Sequence, residues 1–294
     1  MTKKFKDLNL NSAFLFAAAA NDAETCQLLL ELILGKKIPK VNVKTEHNIL
    51  LSTEAKCVRL DVNARSEYEV NYNIEAQNGN EHNIVRRSRF YQAQMDVAEL
   101  KPGDDYNKLP ESFVIFICTF DPFGRGLYRY TFFERCEEDG EPLGDGTCKI
   151  FLNTKGKNDS EVPQELITFL GYFENSTDEY VKKVNNPSIS KLHEKIDTLK
   201  KSREWEEGYM QLEELLINQQ RIGREEGRKE GLKEGRKEGL IESVITILST
   251  KGAVSNALEE RIRMETDVEL LGDWIHKASL VTSIDEFEKG IVGR

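Results

Sequence analysis

Residues 59–77 read RLDVNARSEYEVNYNIEAQ, and the alternation within them decides the fold. Leu60, Val62 and Ala64 alternate with Asp61, Asn63 and Arg65; beyond a polar turn around Ser66 to Glu69, Ile74 and Ala76 alternate with Asn73, Glu75 and Gln77. A period of two is that of a half-buried strand, so the stretch predicts a β-hairpin with one apolar and one polar face. Asp61 and Glu75 fall on the polar face and come within reach of each other if the strands pair about that turn. Facing carboxylates repel unless a cation lies between them, which favours a hard metal with oxygen ligands, magnesium before zinc. From the residues alone a plainer reading stays open: two solvated polar strand residues.

Downstream of the hairpin, residues 83–100 predict a helix with Phe90, Ala93, Val97 and Leu100 on its apolar face. Arg87 and Tyr91 are four apart and project together, flanked by Arg86 and Arg89. This group reads either as a phosphate clamp or as an exposed basic face with Tyr91 capping the core. Residues 112–120 (SFVIFICTF) are too short for a typical helix and suit a central strand buried on both faces. Residues 127–135 and 147–153 predict two more strands, joined by the acidic, turn-rich segment 137–145. Upstream, residues 11–35 predict two helices, with Asn21 and Asp22 as caps and Gly35 as the stop; residues 41–51 predict a first strand. Together these elements make an α/β fold, a mixed sheet flanked by helices.

From Pro163 the pattern turns helical, over 163–173, 178–185 and from Ile189 onward. Trp205, Tyr209, Leu212 and Leu216 form an apolar stripe that reads as a packing face for the core or for a second subunit. Gly223, Gly227, Gly231, Gly235 and Gly239 then recur every four residues in RIGREEGRKEGLKEGRKEGL. Five glycines inside a helix cost on the order of 1 kcal/mol each, more than charge pairs worth a few tenths return. The repeat is therefore expected to be a flexible charged spacer, with residues 241–248 and 268–275 as helices of a small terminal module carrying Trp274. This divides the chain into 1–202, a core domain with a helical end, 203–240, a charged glycine-repeat helical spacer, and 241–294, the terminal module.

The net charge of −10 argues against a general nucleic-acid coat, and dividing the chain near residue 200 leaves −5 on each side. Any contact with DNA is thus local, and Arg86, Arg87 and Arg89 make the obvious basic patch. Five cysteines, an odd number without C-x-x-C spacing, and four scattered histidines argue against a disulfide framework and a structural zinc site. No apolar run is long enough to span a bilayer and the lysine-rich start lacks an apolar signal core, so a cytoplasmic protein without a membrane partner is expected. There is no P-loop, no G-x-S-x-G and no H-E-x-x-H to suggest other chemistry.

The spacing D-x13-E-x-Q, from Asp61 through Glu75 to Gln77, resembles the PD-(D/E)XK nuclease signature with Gln77 where a lysine usually stands. Further phrases resemble one branch, the Rpn family of recombination-promoting nucleases and transposases: VRLDV, NIEAQ, RRSRFYQ, FVIFICTFDPFGRG, IFLNTKGK and the glycine-repeat tail. The resemblance implies a restriction-endonuclease-like fold with a helical C-terminal extension. It also implies a magnesium-dependent (or other hard divalent cation) DNA endonuclease that hydrolyses phosphodiester bonds in recombination or transposition. On that reading Asp61, Glu75 and Gln77 are catalytic, and Asp61, Glu75 and the Ala76 carbonyl hold the metal. Arg86, Arg87, Arg89 and Tyr91 bind DNA phosphates. The family often carries an acidic residue in the first helix; here Asn11, Ser12 and Ala13 occupy that place. The rival from another class is a catalytically weak or inactive DNA-associated scaffold that forms a homo-oligomer through its C-terminal helices.

Overall fold

The computed structural model describes residues 3–44 and 62–291. Six strands, β1 (Val41–Lys44), β2 (Val62–Ser66), β3 (Asn71–Gln77), β4 (Ser112–Cys118), β5 (Arg129–Phe132) and β6 (Thr147–Asn153), form one sheet in the order β1-β2-β3-β4-β6-β5. β1, β2 and β3 alternate in direction, β3, β4 and β6 are parallel, and β5 returns antiparallel along β6. The expected hairpin is β2–β3, with Val62 opposite Ile74 and Asn63 opposite Asn73. Glu69 closes its turn in the left-handed region at φ +62°, and the Ser66 amide donates to the Val70 carbonyl at 3.0 Å. Asp61 and residues 45–51 of the expected first strand lie outside the described residues. β4 lies inside the sheet with Val114 to Cys118 wholly buried, as an apolar strand covered on both faces should be. Because β3 and β4 are parallel they need a crossover, and α3 (Ile84–Glu99) lies within it.

On one side of the sheet lie α1 (Ala13–Ala20), α2 (Ala23–Leu34), α4 (Gln164–Glu174) and α6 (Pro187–Lys200), which pack on one another, with α1 against β3 and α2 against β1. Five of the eight residues of α1 are alanine, the best helix former. Asp22 caps α2 by accepting from the Thr25 amide at 2.9 Å, and Gly35, at φ +67°, ends it. α5 (Asp178–Val184) connects α4 to α6.

α3 covers the other side, and here the expected face is inverted. Phe90 and Val97 are 57% and 77% exposed and Ala93 is also exposed, while Ile84, Ser88, Tyr91 and Gln92 are buried. The surface beneath α3 explains this. Asn71, Asn73, Glu75 and Gln77 of β3 are polar, whereas Val114, Phe116 and Cys118 of β4 and Phe151 of β6 are apolar, so the helix face that fits is itself mixed.

α7 (Arg203–Ser249) runs unbroken through the glycine repeat, where a flexible spacer was expected. Between the glycines stand mostly Arg, Lys, Glu and Leu, strong helix formers, and propagating an existing helix adds one bond per residue. The chain divides into two compact units, Met1–Gln211 and Leu212–Arg294. In the first, Trp205 meets Phe14 edge-to-face at 6.0 Å and Tyr209 lies tilted against it at 5.4 Å, and the Tyr209 hydroxyl donates to the Lys3 carbonyl at 3.2 Å. The start of α7 thus packs with the first unit, and the division falls at 211/212, nine residues beyond the one drawn from sequence. In the second unit α8 (Asn256–Met264), α9 (Val268–Leu280) and α10 (Ile284–Ile291) enclose a core of Val244, Leu248, Ile262, Leu271, Trp274 and Phe287. Among the described residues no helix is long and apolar enough to cross a membrane, and Cys26, Cys118, Cys136 and Cys148 are free thiols.

Candidate functional site

The polar edges of β2 and β3 and the inner face of α3 meet as a ladder of matched groups. At one end Glu99 accepts from Arg65 Nη1 at 2.6 Å and from Asn71 Nδ2 at 3.0 Å. In the middle Asn73 Nδ2 donates to Asn63 Oδ1 at 3.1 Å, directly across the hairpin. Gln92 of α3 donates to the Ser112 hydroxyl of β4. At the other end, where β3 runs out, Arg87 Nη2 donates to Glu75 Oε1 and Nη1 donates to Gln77 Oε1 at 3.0 Å. Glu75 and Gln77 share a face because they are two apart on a strand, and Arg87, a turn into α3, reaches back over both.

Aromatic groups hold Arg87 in place. Its Nη2 donates to the Tyr91 hydroxyl at 3.1 Å, and the guanidinium lies 5.6 Å from both the Tyr91 and Phe116 ring centres. Tyr91, Phe116 and Phe151 form a continuous stack at 5.9 and 5.5 Å, with ring planes within 12° and 7°. Phe116 is the β4 residue beside Glu75, so the stack forms the floor next to the carboxylate. The side chains of Arg87 and Glu75 are only 23% and 14% exposed, which makes their charge interaction stronger than that of a surface pair. Burial alone would disfavour the charged guanidinium; the Glu75 carboxylate and the Tyr91 hydroxyl outweigh it, and Arg87 is held above its ordinary value. Cys118, beside Gln77 in the parallel register, is pushed up to about 12, chiefly by burial and further by Glu75, so it is a neutral thiol and no nucleophile.

The residues expected to act together are only partly assembled. Glu75, Gln77, Arg87 and Tyr91 converge; Arg86 and Arg89 are exposed on the outer side of α3, apart from Arg87. The group of three arginines and a tyrosine is therefore split, with one arginine and the tyrosine turned inward. Ala76 is buried with its side chain on the opposite face, which leaves its main chain between Glu75 and Gln77. Gln77 Nε2 donates to the Gly79 carbonyl at 2.7 Å, and Asn78 Nδ2 donates to the Asn11 carbonyl at 2.5 Å, which ties the chain just before α1 to the end of β3. Sequence reasoning missed Arg65, Asn63, Asn71 and Glu99. Their signal lay in the alternation itself, since polar residues at every second place on adjacent strands need partners once a helix covers them.

Among the described residues no three His, Cys, Asp or Glu side chains cluster as a metal site. The donors at the end of β3 are the Glu75 carboxylate and the Ala76 carbonyl, oxygens of the kind hard cations take. No curated protein and no solved structure matches the chain. Residues 13–224 match the family described as PD-(D/E)XK nuclease family transposase, a span that takes in the sheet, α3, the ladder and the first part of α7. With its six-stranded mixed sheet between helices, a restriction-endonuclease-like fold, the chain belongs to the PD-(D/E)XK nuclease family transposases.

Proposed function

We propose that the chain is a metal-dependent DNA endonuclease that hydrolyses phosphodiester bonds in recombination or transposition, with Asp61, Glu75 and Gln77 as its catalytic residues. The observation that carries the reading is the convergence of Glu75, Gln77 and Arg87 at the end of β3 in a member of a nuclease family. Nucleases of this family generally use divalent metal ions. Here Glu75 and the Ala76 carbonyl, with Asp61 one residue before the first described residue of β2, would hold a hard cation such as magnesium. Such an ion, when bound, polarises a phosphate and lowers the pKa of a water. Gln77 orients a water by hydrogen bonding but brings no charge of its own. Arg86 and Arg89, exposed on α3, contact the DNA backbone, where salt-dependent phosphate contacts position a duplex.

The closed Arg87–Glu75 pair favours one second reading, a cytoplasmic DNA-associated scaffold that binds without cutting and self-associates through its C-terminal helices. Incubating purified protein with supercoiled plasmid and magnesium or manganese separates the two. The nuclease reading expects nicked or linear product that EDTA, Asp61→Ala and Glu75→Gln each abolish. Retardation of the plasmid without cleavage under every metal tried would leave the scaffold.

A further inference from the structure

Gln77 stands where the nuclease signature has a lysine, and a charge-neutral amide there removes the cation that would face negative charge growing on a phosphate. Arg87 is the one cation whose contacts among the described residues reach both motif side chains: Nη1 touches Gln77 Oε1 at 3.0 Å and Nη2 touches Glu75 Oε1. We infer that Arg87 supplies from α3 the positive charge that Gln77 lacks, so that Gln77 and Arg87 together do the work of a single motif lysine. The inference rests on the nuclease reading and deepens it.

Three features carry it. First, position: the guanidinium is anchored on the strand residues themselves, with Tyr91 and Phe116 fixing its place from behind, whereas Arg86 and Arg89 point to solvent. A phosphate clamp on the protein surface would be expected to expose its charge, as those two do. Second, capacity: the guanidinium has five N–H donors in one plane, and Glu75, Gln77 and Tyr91 among the described residues take three of them, which leaves donors for an oxygen brought in by a substrate. Third, orientation: Gln77 gives one amide N–H to the Gly79 carbonyl and takes Arg87 Nη1 on its oxygen, so it holds the guanidinium in place while its second N–H can still orient a water. Charge in a mostly dry, aromatic-lined setting also acts more strongly than the same charge in water.

The alternative is that Arg87 merely neutralises a covered Glu75. Full-length wild type, Arg87→Gln, Arg87→Lys, Gln77→Lys and the Arg87→Gln/Gln77→Lys double variant separate the two, with folding checked by thermal melting. Two quantities are read: the single-turnover cleavage rate, and affinity for a labelled duplex in EDTA by fluorescence anisotropy. Arg87→Gln is expected to lower the rate about 100-fold or more, the usual scale for losing one charge-stabilising group, while duplex affinity changes less than about threefold. Moving the charge back with Gln77→Lys is expected to return the double variant to within about tenfold of wild type, and Arg87→Lys to stay within the same range. A folded Arg87→Gln that cuts like wild type overturns the inference, as does a folded double variant no faster than Arg87→Gln. An affinity loss that accounts for the whole rate loss makes Arg87 a phosphate clamp instead. If Arg87→Gln does not fold, a folded but inactive Arg87→Lys overturns the inference in its place. A wild-type protein that cuts no DNA removes both this inference and the nuclease reading, whereas an active Arg87→Gln removes this one alone.

Discussion

Tyr209 and Leu216 lie seven residues apart on one apolar stripe of α7, yet they should behave very differently. Tyr209 is 8% exposed, its ring 5.8 Å from Phe5 and 5.4 Å from Phe14, and its hydroxyl reaches the Lys3 carbonyl at 3.2 Å. Leu216 is 45% exposed. Tyr209→Ala removes most of a buried ring, two aromatic contacts and a hydrogen bond. Truncating a large core aromatic costs roughly 3–5 kcal/mol, and the partial exposure of this edge site sets the expectation at the lower end, about 3 kcal/mol. For a unit spanning Met1–Gln211, each kcal/mol moves the melting temperature by about 2–4 °C, so Tyr209→Ala should lower it by roughly 6–12 °C. Leu216→Ala should move it by about 2 °C or less. Scanning calorimetry of the full chain measures both, and the fluorescence of Trp205, which meets Phe14 edge-to-face, read in a Trp274→Phe background, identifies the transition that belongs to this packing. A Tyr209→Ala protein that melts within 2 °C of wild type would refute the packing of α7 on Phe5 and Phe14, and with it the division at 211/212.

Glu75→Ala leaves the largely covered Arg87 without its carboxylate and should cost about 1–3 kcal/mol by urea denaturation, more than Glu75→Gln, which keeps an acceptor; equal stabilities would contradict the pairing. Gly171→Ala places a methyl group on the Tyr180 hydroxyl, which donates to the Thr168 carbonyl at 3.0 Å, and should destabilise by about 1–3 kcal/mol, whereas Gly231→Ala meets open space within α7 and should raise helix stability by up to about 1 kcal/mol. Asp121 accepts from the Tyr130 hydroxyl and from the amides of Phe123, Gly124 and Gly126; burial opposes ionisation, but these bonds prevail and hold the carboxyl below its ordinary 3.8. Its stabilisation is complete above 3.8 and lost as pH falls through the lower folded value, so Asp121→Asn should flatten the drop in melting temperature below about pH 4; parallel curves for the two proteins would show that this loop does not depend on the charge.

Where an element carries a plain pattern, alternating or wholly apolar, the sequence was enough. The β2–β3 hairpin followed from period two, β4 from its unbroken apolar run, and the joint between α1 and α2 from Asp22. α3 failed this logic because it covers polar strands. Its buried face carries Arg87, Ser88 and Gln92, so the row of Phe90, Ala93 and Val97 that a periodicity argument assigns to the core is left in solvent. The same cause hid the split of the arginines: spacing shows that Arg87 and Tyr91 project together, but only the partners on β3 say that they project inward, away from Arg86 and Arg89. In α7 the glycine penalty was weighed residue by residue, while a helix of this length draws on its neighbours at both ends.

The way the ladder is spaced along the chain bears on the order of folding. Residues 67–70 are all that separate β2 from β3, whereas β3 waits for 78–111 to bring β4 alongside, and β4 for 119–146 to bring β6. Closing a short loop loses less chain entropy, and hairpins and helices form within microseconds. Arg87 and Glu75, twelve residues apart, are likewise near neighbours in sequence, so the start of α3 can settle on the hairpin through charge while β4 is still unpaired. Polar contacts would then belong to the folding nucleus, and the apolar pairing of β4 with β6 would follow. Weakening the ladder should slow refolding, whereas trimming Ile117 or Leu152 should chiefly hasten unfolding.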